Sequence, residues 1–138
     1  MRGLARVIII LGGIAFAAAC HNPIAGDERV ALGTWGGASI RLDVASRGAT
    51  VEYDCAHGTI DEPLITDRDG RFVLTGTHVR QHGGPIRQDE PLDRHPARYR
   101  GQMNGDSLRL IVTLTDLQQD VGTFTVTRGA TARLFKCL

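Results

Sequence analysis

The sequence lacks an excess of charge of either sign. Sixteen basic residues face 15 acidic ones across 138 positions, and neither sign gathers into a run. Nucleic-acid binding rests on surplus Lys and Arg at the phosphates, so that class is excluded. The charges instead alternate in the manner of a solvated surface. Lysine itself is nearly missing: Lys136 is the one example, and every other base is arginine. No stretch repeats its apolar residues every 3.6 positions, which predicts little helix. No Gly-x-Ser-x-Gly occurs, and Ser39, Ser46 and Ser107 have no histidine beside them, so an enzyme is not expected. Aromatics are scarce, with one Trp, two Tyr and four Phe, and leave few side chains to line a cavity. Long apolar runs are missing too. The longest, Val7–Ala19, has 13 residues and two glycines, where a membrane-spanning helix takes about 20.

That short run has another use. Met1–Arg6 is a small basic start, and Ala17-Ala18-Ala19 leads directly into Cys20. A basic n-region, an apolar h-region and small residues before a cut site predict a secretory signal peptide over residues 1–19. Ala17-Ala18-Ala19-Cys20 resembles a bacterial lipobox, whose family prefers Leu where Ala17 stands. The resemblance implies that Cys20 becomes a lipidated N-terminus and that the protein is exported and anchored to the cell envelope. His21, rather than Asp, follows the cysteine, which points to the outer membrane if the source has two. Cysteine arithmetic agrees: in an oxidising compartment a leftover thiol is a liability. With Cys20 lipidated, Cys55 and Cys137 remain as an even pair and are expected to form a disulfide. Stable anchoring takes more than one acyl chain, each buried methylene contributing about 0.8 kcal/mol. Loss of Arg2 and Arg6 with the signal leaves 14 basic residues against 15 acidic, a net charge of −1.

The remaining 119 residues suffice for one domain. Residues 20–31 carry Pro23 and Gly26 without periodicity and are expected to be a tether, with residues 32–138 as the folded domain. From Leu32 onward the period is two. Ile40, Leu42 and Val44 alternate with Arg41 and Asp43, and Val51, Tyr53 and Cys55 alternate with Glu52 and Asp54. A short strand within Thr59–Thr66 is weakened by Pro63, Asp67–Gly70 turns the chain, and Arg71–Val79 extends it. Asn104-Gly105, a strong type I′ hairpin signal, separates Arg98–Met103 from Ser107–Thr115. Val121–Arg128 and Ala132–Cys137 complete the set. Seven or eight short antiparallel strands predict an all-β, up-and-down barrel, with a β-sandwich as the alternative. Closure favours the barrel because it removes exposed edges. Gly33-Thr34-Trp35 resembles the Gly-x-Trp that opens the first strand of lipocalins and avidins, and the whole resembles the small uncharacterised bacterial lipoproteins. The second resemblance implies a location and no activity.

Each candidate for chemistry meets an ordinary explanation. Among the five histidines, His78 and His82 are four apart, a spacing that puts both on one face of a strand, and with His57 or His95 they make a nominal three-ligand set. The compact spacings of zinc motifs are missing, so no metal or other cofactor is expected. Asp67-x-Asp69-Gly70 opens like a calcium loop but lacks its later ligands. Glu52 and Asp54 point away from the apolar face. Trp35, Tyr53 and Tyr99, with His78 and His82, are the candidate ligand-binding residues, core packing being the competing role for the aromatics. Arg80–Ala97 is too long for a turn, and is read either as a lid over the barrel mouth, with Ile86 and Leu92 inward, or as a charged surface loop. The expected function is a non-catalytic, membrane-anchored module binding a small apolar ligand or an envelope protein. The alternatives are an inhibitor of an envelope-directed enzyme, in the manner of the periplasmic lysozyme inhibitors of similar size, with Arg80–Ala97 as the plug, and a purely structural envelope component.

Overall fold

The computed structural model describes residues 27–138; the expected signal segment, Cys20, His21 and most of the expected tether lie outside the described residues. Ten strands follow in order: β1 Glu28–Arg29, β2 Gly33–Gly37, β3 Ile40–Val44, β4 Ala49–Tyr53, β5 Ala56–Ile60, β6 Ile65–Thr66, β7 Arg71–Arg80, β8 Asp93–Asn104, β9 Ser107–Leu114 and β10 Gln119–Arg128. Eight of them close an antiparallel barrel in the order β10-β2-β3-β4-β5-β7-β8-β9. The expected up-and-down barrel is therefore the fold, and the described residues contain no helix.

The alternation read in the sequence is what fills the barrel. In β9, Leu108, Leu110, Val112 and Leu114 are each fully buried, as are Ile40 and Leu42 in β3. Each such side chain contributes about 1.5–3 kcal/mol on leaving water. Two inward glycines make room for rings. A methyl group at Gly58 would strike the Tyr99 hydroxyl, and one at Gly101 would strike the Phe72 ring. These positions are small because aromatic side chains cross the narrow interior above them. The hairpin forms where Asn104-Gly105 marked it, but not as the expected type I′ turn: Asn104 ends β8 opposite Ser107, so Gly105 and Asp106 are the central residues, and of these only Gly105 has positive φ, +60°.

The two ends of the barrel differ. At one end lie the β3–β4 turn, the Asn104-Gly105 hairpin, the start of β2 and the end of β10. Here β1 pairs with β6, Glu28 opposite Thr66 and Arg29 opposite Ile65, and the Val30 amide donates to the Leu64 carbonyl at 2.9 Å. Val30 and Leu64 are buried in the core and close this end. The folded part thus begins ahead of Leu32, which is itself exposed. The apolar Val30 is recruited by Leu64, a partner too distant in sequence for local periodicity to reveal.

Three further expectations are corrected at the other, open end. Cys55 is not on the apolar face of a strand: it occupies the tight β4–β5 turn with φ +55°. Ala132–Cys137 forms no strand; its ladder is one parallel bridge from Arg133 to Ala38. The Ser39 amide donates to the Arg133 carbonyl and the Arg133 amide to that of Gly37. The tail runs past the β2 end of the seam, where β10 and β2 share only three register pairs. Lastly, the long insertion shrinks: β7 and β8 stay paired out to Arg80 and Asp93, leaving Gln81–Leu92 as the loop.

Candidate functional site

The open end holds a recess of about 450 Å³ lined by Ser39, Tyr53, Asp54, Cys55, Ala56, His78, Arg80, Gln81, Val121 and Phe124. Its floor is aromatic. Tyr53 meets His78 edge-on, ring centroids 5.0 Å apart, and lies 5.3 Å from Phe124. Below, the Tyr53 hydroxyl donates to that of Tyr99 at 3.5 Å, and Tyr99 donates to the Thr77 carbonyl at 2.7 Å. Burial above all raises both phenols, Tyr99 to about 12, so both are neutral and serve as hydrogen-bonding wall.

His78 reaches this position because β7 alternates inward residues at 72, 74, 76 and 78. It is 3% exposed, and its Nδ1 is buried with no hydrogen-bond partner among the described residues. A buried polar atom of this kind costs about 1–3 kcal/mol. Burial chiefly, then Arg80, His95 and His57, hold the ring below its ordinary value, with Asp93 opposing. Above it the rim is a polar network. His95, the cross-strand partner of His78, is held at Nδ1 by Asp116 and at Nε2 by Asp93, both at 2.7 Å. Arg80 donates to the Gln119 side chain at 2.8 Å and stands 3.9 Å from Asp93. Asp54 takes the Phe135 amide at 2.6 Å, and the Ser39 hydroxyl, then this amide, lower its carboxyl below the usual range. Cys137 bonds to Cys55, the two Cα atoms 5.1 Å apart.

The five ligand candidates are thus divided. Tyr53 and His78 line the recess, with Tyr99 directly beneath. Trp35 is 1% exposed under the N-terminal segment near the closed end, its indole N–H on the Ala31 carbonyl at 3.0 Å. His82 does not share a face with His78, because the strand stops at Arg80; it lies in the exposed loop, paired with Glu90 at 2.6 Å. Nor does that loop put Ile86 and Leu92 into the mouth: both are exposed, and with His57, Val79 and Pro91 they line a groove on the outer wall. Phe124, Val121 and Arg80 were not singled out by the sequence. Period two marked Phe124 as inward, but which inward residues end at the mouth depends on strand tilt and stagger. Among the described residues, no group of three His, Cys, Asp or Glu could hold a metal ion, and no helix is long and apolar enough to cross a membrane. The chain matches no family model, no curated protein and no solved structure.

The two facing histidines are expected to titrate on opposite sides of 6.5. Asp116 first, then Asp93, raise His95, while burial lowers His78. Stability contributed by protonated His95 is complete below pH 6.5 and is lost as pH rises through its raised value. His78 works in reverse, and its protonation destabilises the fold as pH falls below 6.5. Histidine-resolved NMR titration checks this. Asp116→Asn should bring His95 down and, by weakening its charge, let His78 rise slightly; coincident midpoints in the wild type would refute the network.

Proposed function

We propose that the protein is an exported, lipid-anchored, non-catalytic binding protein of the cell envelope, and that its partner is another envelope protein. The lipobox-like Ala17-Ala18-Ala19-Cys20 and the Cys55–Cys137 bridge, which suits an oxidising compartment, support export and anchoring. The observation that carries the docking reading is a polarity between the two ends of the barrel. The N-terminal segment enters through β1 at the closed end, so a lipid on Cys20 holds that end toward the membrane. At the opposite end Ile86, Leu92, Leu117 and Phe135 are 74%, 66%, 50% and 73% exposed. Ile86 and Leu92 share one groove with polar neighbours, and exposed apolar side chains rimmed by polar groups mark protein contact surfaces. Buried apolar side chains form a single core cluster inside the barrel, which favours a partner outside it over a bulky apolar ligand deep inside.

An inhibitor is the second reading, and the order of the Gln81–Leu92 loop favours it. The His82 ring bonds Glu90 at 2.6 Å, and Glu90 in turn receives the Arg87 amide at 3.4 Å. A protruding loop tied to itself in this way loses little entropy on entering a cleft.

Photo-crosslinking tests the docking surface in intact envelopes. A benzoylphenylalanine at position 86 or 117 should yield a discrete adduct. The same probe at Val73, exposed on the wall nearer the closed end, should not. Adducts from position 73 alone, or equal yields from all three, would defeat the assignment. Cys20→Ala should move the protein from the detergent phase to the aqueous phase; a protein that stays aqueous in both forms has no anchor.

A further inference from the structure

We propose that the recess at the barrel mouth is a binding site for a small aromatic carboxylate, its ring resting on the touching Tyr53 and Phe124 side chains and its anionic group at His78 and Arg80. This site is independent of the protein-docking surface and stands or falls separately. Its shape comes first: a recess of about 450 Å³ is of single-ligand size. The Tyr53 and Phe124 rings, inclined at 54°, with Ala56 and Val121 as aliphatic wall, offer an apolar surface to a ring rather than to a sugar or a chain of charges. The polar end is specific. His78 is almost wholly buried and keeps a ring nitrogen unpartnered among the described residues, the kind of orphan that a ligand atom satisfies.

The sign of the ligand's charge follows from the surrounding groups. Arg80 lines the recess with one nitrogen on the neutral Gln119 amide and a long 3.9 Å ion pair to Asp93, which leaves its guanidinium able to donate to a ligand. Asp54 also lines the recess and keeps its negative charge, but it is turned to the Phe135 amide at 2.6 Å, so the ligand's anionic group belongs at the Arg80 side of the recess. His95, on the same face as His78, has both nitrogens committed to Asp116 and Asp93 and, when protonated, offsets one of those two charges. A neutral imidazole donor beside an arginine is a carboxylate receptor, whose charge-assisted hydrogen bonds are the stronger kind.

Titration of the purified protein with sodium 2-naphthoate, against the neutral 2-naphthylmethanol, tests the proposal. Chemical shifts of the His78 imidazole and the Phe124 ring should move and saturate with naphthoate. Arg80→Gln, a change on the rim that leaves the core intact, should weaken naphthoate by about tenfold or more, the loss of one charge-assisted bond. The alcohol should bind more weakly than naphthoate and change less than about twofold in this variant. His78→Phe keeps a ring against Tyr53 and should also weaken naphthoate; if it does not fold, Arg80→Gln still decides. No saturable shift at His78 and Phe124 into the millimolar range overturns the site. Equal affinity for acid and alcohol, or shifts confined to the outer groove at Ile86 and Leu92, does so as well.

Discussion

Loss of the Cys55–Cys137 bridge is expected to lower the melting temperature by about 10–20 °C, the size that a loss of 2–4 kcal/mol produces in a domain near 100 residues. The bridge spans 82 positions, and the chain-entropy relation gives about 4.5 kcal/mol for a loop of that length, an upper figure for measured bridges. The structure supplies a reason for a value below that ceiling. The tail is held by few other bonds, chiefly Arg133 to Gly37 and Ser39 and the Phe135 amide to Asp54. Once cut, the native tail gains freedom, and that gain offsets part of the loss. Cys55→Ser with Cys137→Ser, compared with wild type in thermal and urea unfolding, measures the effect. A drop under about 3 °C would show that the bridge does not stabilise the closed barrel. Hydrogen exchange should quicken first at Gly37 to Ser39, beside the three-pair seam between β10 and β2.

Trp35→Ala should cost about 3–5 kcal/mol, the range for removing a fully buried large aromatic. Trp35 is 1% exposed and does two jobs near the closed end. Its ring packs in the core with Val30 and Leu64, and its N–H holds the Ala31 carbonyl. Truncation removes both, so β1 should detach from β6 and the N-terminal segment should become sensitive to protease between Asp27 and Leu32. Trp35→Phe keeps the ring and loses the hydrogen bond, and should cost only about 1–2 kcal/mol. Urea denaturation of both variants separates these terms. A cost below 1 kcal/mol for the alanine variant would mean that the indole does not support this end. Naphthoate binding at the opposite mouth should be unaffected in the phenylalanine variant, since Trp35 is not among the residues that line the recess.

The inward set of β3, β4, β9 and β10 and the hairpin at Asn104-Gly105 were legible because each depends on neighbours two to four positions away. Strand alternation and a positive-φ turn are local, and they survive whatever the rest of the chain does. The pairing of Cys55 with Cys137 was legible by counting, once Cys20 was assigned to lipid. Elsewhere the local signal was real and misleading. Ala132–Cys137 alternates like a strand, yet β10 already occupies the edge of β2, so the tail has one bridge in place of a ladder. Cys55 continues the alternation of β4, but the chain must reverse there to reach Ala56. Ile86 and Leu92 are apolar and lie between two strands at the mouth, which makes an inward lid natural on paper. The core cluster inside the barrel forms without them, and they remain outside.

By itself the sequence determined that the folded domain is all-β, that its strands are antiparallel and sequential, and which side chains of β3, β4, β9 and β10 face the core. Period-two alternation and short turns dictate those features wherever the strands sit. Only the tertiary structure decided which end is closed, where His78 comes to rest and what surrounds it. Val30 meets Leu64, His78 meets Tyr53, and Arg133 meets Ala38 through closure of the sheet. The stagger of a closed barrel is a property of all eight strands together, and no local segment carries it.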